Sequence, residues 1–298
     1  MNVEQELGPR LSAGIKKDEP MSLHTSWRAG GCADYYAVPA NRDELLEIVR
    51  FADRRGLPLF VLGKGTNLLV RDGGIRGLVV QIGEPFSYIH REGESLRAGS
   101  GTLLTSLAHA AVKERLRGLS FAAGIPGSLG GALVMNAGAF GNYMGALVQE
   151  VTMIRPGGDL FCLRRENIVF SYRESNLSGQ GIIVEALLNL EEGDGESLQR
   201  EVDHFFAERR RRHPSLPNAG SVFRNPPGNP AGGLIEAAGC KGLSAGTARV
   251  SEKHANFIVN EGGASAGDIE TLIEAVRRKV KERFGIELQT EVRVIGER

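Results

Sequence analysis

The hydrophobic positions of this chain follow two periods, and the places where one gives way to the other mark most of its elements. In "NRDELLEIVRFADRRG", residues 41–56, apolar side chains at 45, 48, 49 and 52 share one helix face, and Gly56 supplies a stop. The short apolar runs "LPLFVLG", "LLV", "GLVVQIG", "FSYIHRE" and "SLRAGSG" read as strands, as does "DYYAVPA" at 34–40. A helix over about 102–116 follows. "VQEVTMIRPGGDLFCLR" predicts a hairpin turning through Pro156-Gly157-Gly158-Asp159, and "GIIVEALLNLE" predicts one more strand.

After "EEGDGES" at 191–197 the pattern changes, and Leu198, Val202, Phe205 and Phe206 share one face of a helix in "SLQREVDHFFAERRRRH". A short helix near 232–238, strands near 247–251 and 256–260, and a long helix over about 266–284 come next. The closing stretch, "ELQTEVRVIG", reads as a strand. Leu288, Thr290, Val292 and Val294 face its core side, and Glu287, Gln289, Glu291 and Arg293 the other. The expected fold class is α+β. A loosely held arm spans 1–21, a larger glycine-rich domain 22–192, and a C-terminal domain 193–298.

Glycine changes this picture. The chain of 298 residues carries 40 glycines, about twice the usual share. Six of them, at 124, 127, 130, 131, 138 and 141, fall in one run of small residues from Phe121 to Asn142. Such a run serves close packing of backbone on backbone, or close approach of backbone to a ligand that any Cβ would obstruct. A second loop, "GKGTN" at 63–67, invites comparison with phosphate-binding loops. The Walker A pattern fails, because Pro58 stands where its first glycine belongs and Gly65 fills its Ser/Thr position. The dinucleotide fingerprint fails at Leu68, and "GSG" at 99–101 fails likewise at Leu104. What survives is a strand–loop–strand turn whose backbone N–H groups are able to form an anion nest. Pro126 stands where a helix could begin, which would add a second set of outward N–H groups. Two such loops suit two anionic groups or one diphosphate; a packed Gly/Ala helix is the other reading.

Charge and cysteine content exclude several classes. The 36 basic and 36 acidic residues cancel, which argues against general binding to a nucleic-acid backbone. Cys32, Cys162 and Cys240 form no CxxC pair, which argues for a reducing compartment and against a disulfide framework or zinc site. No cluster of ligating side chains supports a metal. The N-terminus lacks a signal-peptide core, and no run approaches the about 18 apolar residues that a membrane span needs. A cytoplasmic protein without membrane insertion is expected.

Seven stretches then stand in a telling order: "TSWRAGGCADYYAVP", "VLGKGTNLLVRDGGIRGLVV", "AGIPGSLGGALVMNAGAFG", "FSYRESN", "NAGSVFRNP", "VSEKHANFIVN" and "TEVRVIG". From about residue 22 to 296 the chain resembles the UDP-N-acetylenolpyruvoylglucosamine reductase (MurB) family. The resemblance implies an FAD-binding domain of the vanillyl-alcohol oxidase/p-cresol methylhydroxylase type, in two α+β subdomains, over 22–192. It implies a UDP-sugar substrate domain over 193–298. NADPH would be the co-substrate, and UDP-N-acetylglucosamine-enolpyruvate would be reduced to UDP-N-acetylmuramate, a peptidoglycan precursor. FAD would be held non-covalently, since neither loop offers a His or Cys where tethering is expected.

The resemblance places Gly63, Lys64, Gly65, Thr66 and Asn67, and Gly124, Ile125, Pro126, Gly127, Ser128, Gly131, Asn136 and Ala137, against FAD. It gives Arg173 of "SYR" and Glu291 of "EVR" the task of stabilising charge on the substrate, and Ser221 of "AGS" that of proton donor. Tyr172, Asn225 and Arg293 would touch substrate. Without the motif these residues read as a strand-end arginine, a turn serine and a solvated strand face. His213 and Arg224 stand where members often carry lysine, which leaves the diphosphate contacts open. Arg209 to Arg212 close a helix, where cations suit the dipole, or they steer a diphosphate. His254 reads as a packed or hydrogen-bonded histidine. Only "ESNLSGQ" separates Arg173 from the next strand, too little for the tyrosine-bearing flap of longer members, so the shorter, flapless subtype is expected. Another flavin oxidoreductase, or a non-catalytic UDP-sugar-binding regulator, is the competing reading. "AGSVFRNP" and "EVR" speak against the first, and the intact Arg173, Ser221 and Glu291 against the second.

Overall fold

The computed structural model describes residues 3–298. Its first segment is packed, not loose. Helix α1 (Val3–Leu7) buries Val3 and Leu7 completely, in one apolar cluster with Leu45 and Ile48 of α2 (Arg42–Arg55). Glu44 ties this segment down, accepting the N–H and hydroxyl of Ser12 at 2.9 and 2.5 Å and the N–H of Ala40 at 2.8 Å. Burial acts to raise the Glu44 carboxyl, but the bonds from Ala40 and Ser12 outweigh it and hold it below its ordinary value. Helix α2 ends at its expected stop and gains a cap at its start. The Asn41 side chain accepts the Glu44 N–H, and Gly56 closes the helix at φ +58°.

The chain forms two compact units interleaved in sequence, without a single boundary near residue 192. The first comprises Met1–Lys17, Tyr35–Lys64 and Gly77–Arg209, the second Asp18–Asp34, Gly65–Arg76 and Arg210–Arg298. One sheet orders its strands Lys16–Pro20, Cys32–Ala37, Ile75–Gln81, Leu59–Leu62, the last two parallel. In the first unit, a five-stranded antiparallel sheet runs Leu160–Arg164, Val148–Ile154, Ile182–Asn189, Ser95–Gly99, Ile89–Glu92. Its expected hairpin pairs Glu150 with Arg164 through Ile154 with Leu160, and Gly157 and Gly158 take positive φ in the turn. Helices α3 (Leu104–Lys113) and α4 (Leu129–Val134) join the core formed by Leu96, Val151, Met153 and Leu188. On α5 (Gly195–Arg212) Leu198 and Val202 are buried and Phe205 stacks on Phe140 at 4.2 Å. Phe206, expected on the same face, is 52% exposed.

The second unit contains α6 (Ala231–Ala237), α7 (Ala266–Phe284) and a small sheet of Ser244–Ala245, Ala248–Val250 and Ile258–Asn260. Trp27 of "TSWRAGG" is its anchor: fully buried, it donates its indole N–H to the Ile258 carbonyl at 2.7 Å. Ser265 and Asp268 form a capping box on α7, and Asp72 accepts the Ala266 and Gly267 N–H groups at 2.9 Å each. The closing strand is shorter than expected. Only Arg293–Ile295 is ladder-bonded, parallel to Leu68–Val70, and Thr290 makes an isolated bridge to Phe223. Leu288 and Val292 are buried as the alternation predicts.

Candidate active site

The small-residue run is packed in some parts and open in others. Phe121, Ala122, Ala123, Leu129, Ala132 and Leu133 are buried, whereas Gly124 to Gly127 and Gly131 keep part of their surface open. The helix starts at Leu129 with Ser128 as its N-cap, three residues later than Pro126 suggested. The reason is tertiary. The "GSGT" turn lies against this segment, and its Thr102 and Ser100 carbonyls accept the Leu129 and Gly130 N–H groups at 2.8 Å each. Those two amides are therefore spoken for. Among the described residues, the N–H groups of Gly127, Ser128 and Gly131 donate to no acceptor.

The two glycine loops meet at one point. A Cβ on Gly63 would lie 2.7 Å from Ser128 Oγ, and one on Gly131 would lie 3.8 Å from the same atom. Glycine at 63 thus keeps the turn against Ser128, with Lys64 exposed beside it. Free amides beside a glycine that a side chain would crowd suit a pyrophosphate, so these residues fit the FAD they were expected to hold. Ser100 sits just below. It is 2% exposed, and its hydroxyl has no hydrogen-bond partner among the described residues. Ser100→Ala is therefore expected to raise stability by about 1 kcal/mol, since the backbone bonds to Gly130 and Val184 remain. Thermal unfolding checks this; a lower midpoint would show that the hydroxyl has a role in the folded protein.

Gly65, Thr66 and Asn67 belong to the second unit. Gly65 has φ +61°, and a Cβ there would lie 2.0 Å from the His24 carbonyl. Asn67 has structural work: its amide donates to the Glu291 carbonyl at 3.1 Å, and its carbonyl accepts the Arg293 N–H at 3.1 Å. Asn136, at φ +41° and 6% exposed, donates to the Ser171 carbonyl at 2.8 Å and accepts the Gly145 N–H at 2.9 Å. It fastens its loop to the "FSYRES" hairpin. Ala137 donates its N–H to the Ala132 carbonyl at 2.8 Å.

That hairpin pairs Phe170 with Ser175 and Ser171 with Glu174, leaving Tyr172 and Arg173 as its two-residue turn. Tyr172 is 52% exposed, and the Arg173 guanidinium lies 5.3 Å from its ring centroid. Arg173 has φ +60°, a conformation costing a non-glycine residue of order 1 kcal/mol, so the fold holds this side chain at some expense. Beyond it the chain turns straight back. Leu177 is 1% exposed, and the Asn176 side chain bonds to Val169 and Asn167. Residues 174–181 form no flap.

In the second unit Ser221 and Asn225 are positioned by their buried neighbours. Val222 donates to the Asn256 carbonyl at 2.9 Å. The Asn256 side chain accepts the Phe223 N–H at 2.9 Å and donates to the Phe223 carbonyl at 2.8 Å. On the other side Glu291 donates its N–H to the Val222 carbonyl at 2.7 Å, and Arg224 donates to the Gln289 carbonyl at 2.9 Å. The fold thus brings the Ser221 segment alongside Glu291, while Arg173 belongs to the first unit. Glu291 itself lies outside the ladder strand that Arg293 opens, so the two do not share a regular strand face. Sequence reasoning named Asn67 only as a cofactor contact and missed Asn256, whose only outward sign was an asparagine within "VSEKHANFIVN".

Ser221 and Asn225 line a cavity of about 350 Å³ with Gly232, Gly233, Lys253 and His254. Asn225 Oδ1 accepts the Ala231 N–H at 2.9 Å. His254 is packed and hydrogen-bonded: Nδ1 accepts the Asn256 N–H at 3.2 Å, and the ring centroids of Phe257 and His213 lie 4.7 and 5.9 Å away. Burial pushes the imidazole below its ordinary pKa, which favours the neutral ring.

Free glycine-loop amides in an α+β unit suit a flavoprotein. The family model of an FAD binding domain matches residues 33–164, and that of the UDP-N-acetylenolpyruvoylglucosamine reductase C-terminal domain matches 212–295. The chain belongs to the UDP-N-acetylenolpyruvoylglucosamine reductase family. It is 49% identical to the protein of that name from Heliobacterium modesticaldum over 284 residues, covering 94% of this chain and 90% of the relative. It is 41% identical to the Bacillus subtilis protein over 297 residues, covering 99% and 98%. The crystal structure of the MurB reductase from Thermus caldophilus superposes with a TM-score of 0.81 at 34% identity, covering 94% of this chain and 97% of that one. Among the described residues no helix is long and apolar enough to cross a membrane.

Proposed function

We infer that this chain is an FAD-dependent, NADPH-consuming reductase. It converts UDP-N-acetylglucosamine-enolpyruvate to UDP-N-acetylmuramate during cytoplasmic synthesis of the peptidoglycan precursor. The observation that carries the reading is that one chain combines free glycine-loop amides suited to a pyrophosphate with a Ser221 that lines an open cavity and is held by its bonded neighbours. FAD bound here would supply the hydride carrier between NADPH and the β-carbon of the enolpyruvyl ether. The free N–H groups of Gly127, Ser128 and Gly131 would hold its pyrophosphate, with Gly63, Lys64, Gly124, Ile125 and Pro126 around them. Gly65, Thr66, Asn136 and Ala137 complete the cofactor contacts.

Arg173 grips the substrate carboxylate through a bidentate pair and stabilises the charge that develops there as the β-carbon is reduced. The Ser221 hydroxyl delivers the proton to the α-carbon, so that hydride and proton together saturate the double bond. Glu291, fixed through its backbone by Val222 and Asn67, stabilises the enol form, and Arg293, Tyr172 and Asn225 contact the substrate. No feature favours a different flavin substrate or a non-catalytic sugar-nucleotide sensor.

Purified protein is expected to be yellow, to release all its colour into the supernatant on acid precipitation, and to consume NADPH only when the enolpyruvyl sugar is added. Colour retained in the pellet would contradict non-covalent attachment. Equal NADPH consumption without the sugar would sink the substrate assignment.

A further inference from the structure

We propose that Arg209 is a substrate-binding residue that takes the enolpyruvyl carboxylate jointly with Arg173. The proposal rests on the reaction inferred above and adds a residue to it. Arg209 lies near the end of α5 with its side chain against Gly124. A Cβ on Gly124 would lie 2.3 Å from Arg209 Cδ and 3.1 Å from Nε. Glycine at this position makes room for the arginine as well as exposing backbone.

The guanidinium is partly buried, yet no hydrogen bond or ion pair holds it among the described residues. Arg97 shows the contrast, since Glu92, Glu150 and Glu185 all pair with it. Burial and the neighbouring charge of Arg173 together pull Arg209 down to about 10, so it remains a cation at neutral pH. Withdrawing a cation from water beside a second cation is unfavourable unless an anion lies with them. One carboxylate between two planar guanidinium forks relieves both costs at once.

Calorimetric titration of the FAD-loaded protein without NADPH tests the proposal, using the enolpyruvyl sugar and UDP-N-acetylglucosamine, which lacks the carboxylate. Arg209→Met keeps the side-chain stem and removes the charge. It is expected to weaken the enolpyruvyl sugar about 10- to 100-fold, the range of a hydrogen bond to a charged group, and to leave UDP-N-acetylglucosamine unchanged. Arg209→Lys should recover part of the loss, and the ligand-free unfolding midpoint of Arg209→Met should not fall. Equal weakening of both ligands would assign Arg209 to the diphosphate and overturn the proposal. Loss of FAD in place of substrate affinity, or no change in either ligand, would overturn it as well. Failure of the unaltered protein to prefer the enolpyruvyl sugar would instead show against the reaction itself.

Discussion

Ser221→Ala is expected to slow reoxidation of the reduced flavin by the enolpyruvyl sugar by roughly 10²–10⁴-fold, the usual contribution of a positioned acid. Reduction by NADPH should stay nearly unchanged, because no substrate proton moves in that step. Substrate affinity should change little, since the hydroxyl acts on an intermediate and not on the ground state. Ser221→Cys should retain much more activity, a thiol being able to donate from the same position. Val222 and Phe223, buried on the core side, hold the serine in place, so the alanine variant loses the hydroxyl without moving the chain. Stopped-flow absorbance of the two half-reactions, measured separately, decides the matter. Equal slowing of both, or fast reoxidation in the alanine variant, would leave Ser221 a turn residue.

Asn256→Ala should unfold more readily by about 3 kcal/mol. The side chain is 4% exposed and satisfies both the N–H and the carbonyl of Phe223. Alanine strands two buried backbone groups, each costing about 1–3 kcal/mol. In a chain of this size that lowers the unfolding midpoint by several degrees. Turnover should fall too, because the segment bearing Ser221 loses its anchor, while FAD content should hold, since no proposed cofactor contact lies there. Thermal unfolding followed with flavin content measures both. A midpoint within a degree of the parent would show that the two bonds carry little of the stability.

The contrast between these residues and α2 shows what a sequence makes legible. Helices α2 and α7 were readable to within a residue or two because their signals are local. Asn41 and Gly56 bracket one, Ser265 and Gly285 the other. The start of α4 was misplaced because it depends on Ser100 and Thr102, distant carbonyls that claim its first amides. The closing strand was overextended because alternation at 287–294 reports burial and cannot report a ladder whose partner lies at Leu68–Val70. The arm at 1–21 looked loose because its apolar residues are few, though Val3 and Leu7 are fully buried. Family motifs pointed to Arg173, Ser221 and Glu291. Asn256, which anchors the Ser221 segment, and the unpaired charge of Arg209 emerge only when the backbone is folded.

The parallel pairing of Leu68–Val70 with Arg293–Ile295 also sets synthesis against assembly. A strand made early has its ladder partner far later in the chain, and Gly73 and Gly74 bond to Glu297 there too. Trp27, earlier still, needs the Ile258 carbonyl for its indole N–H. The second unit therefore cannot close until residue 295 has been made, and its first-made apolar residues must wait until then, exposed to chaperones and to one another.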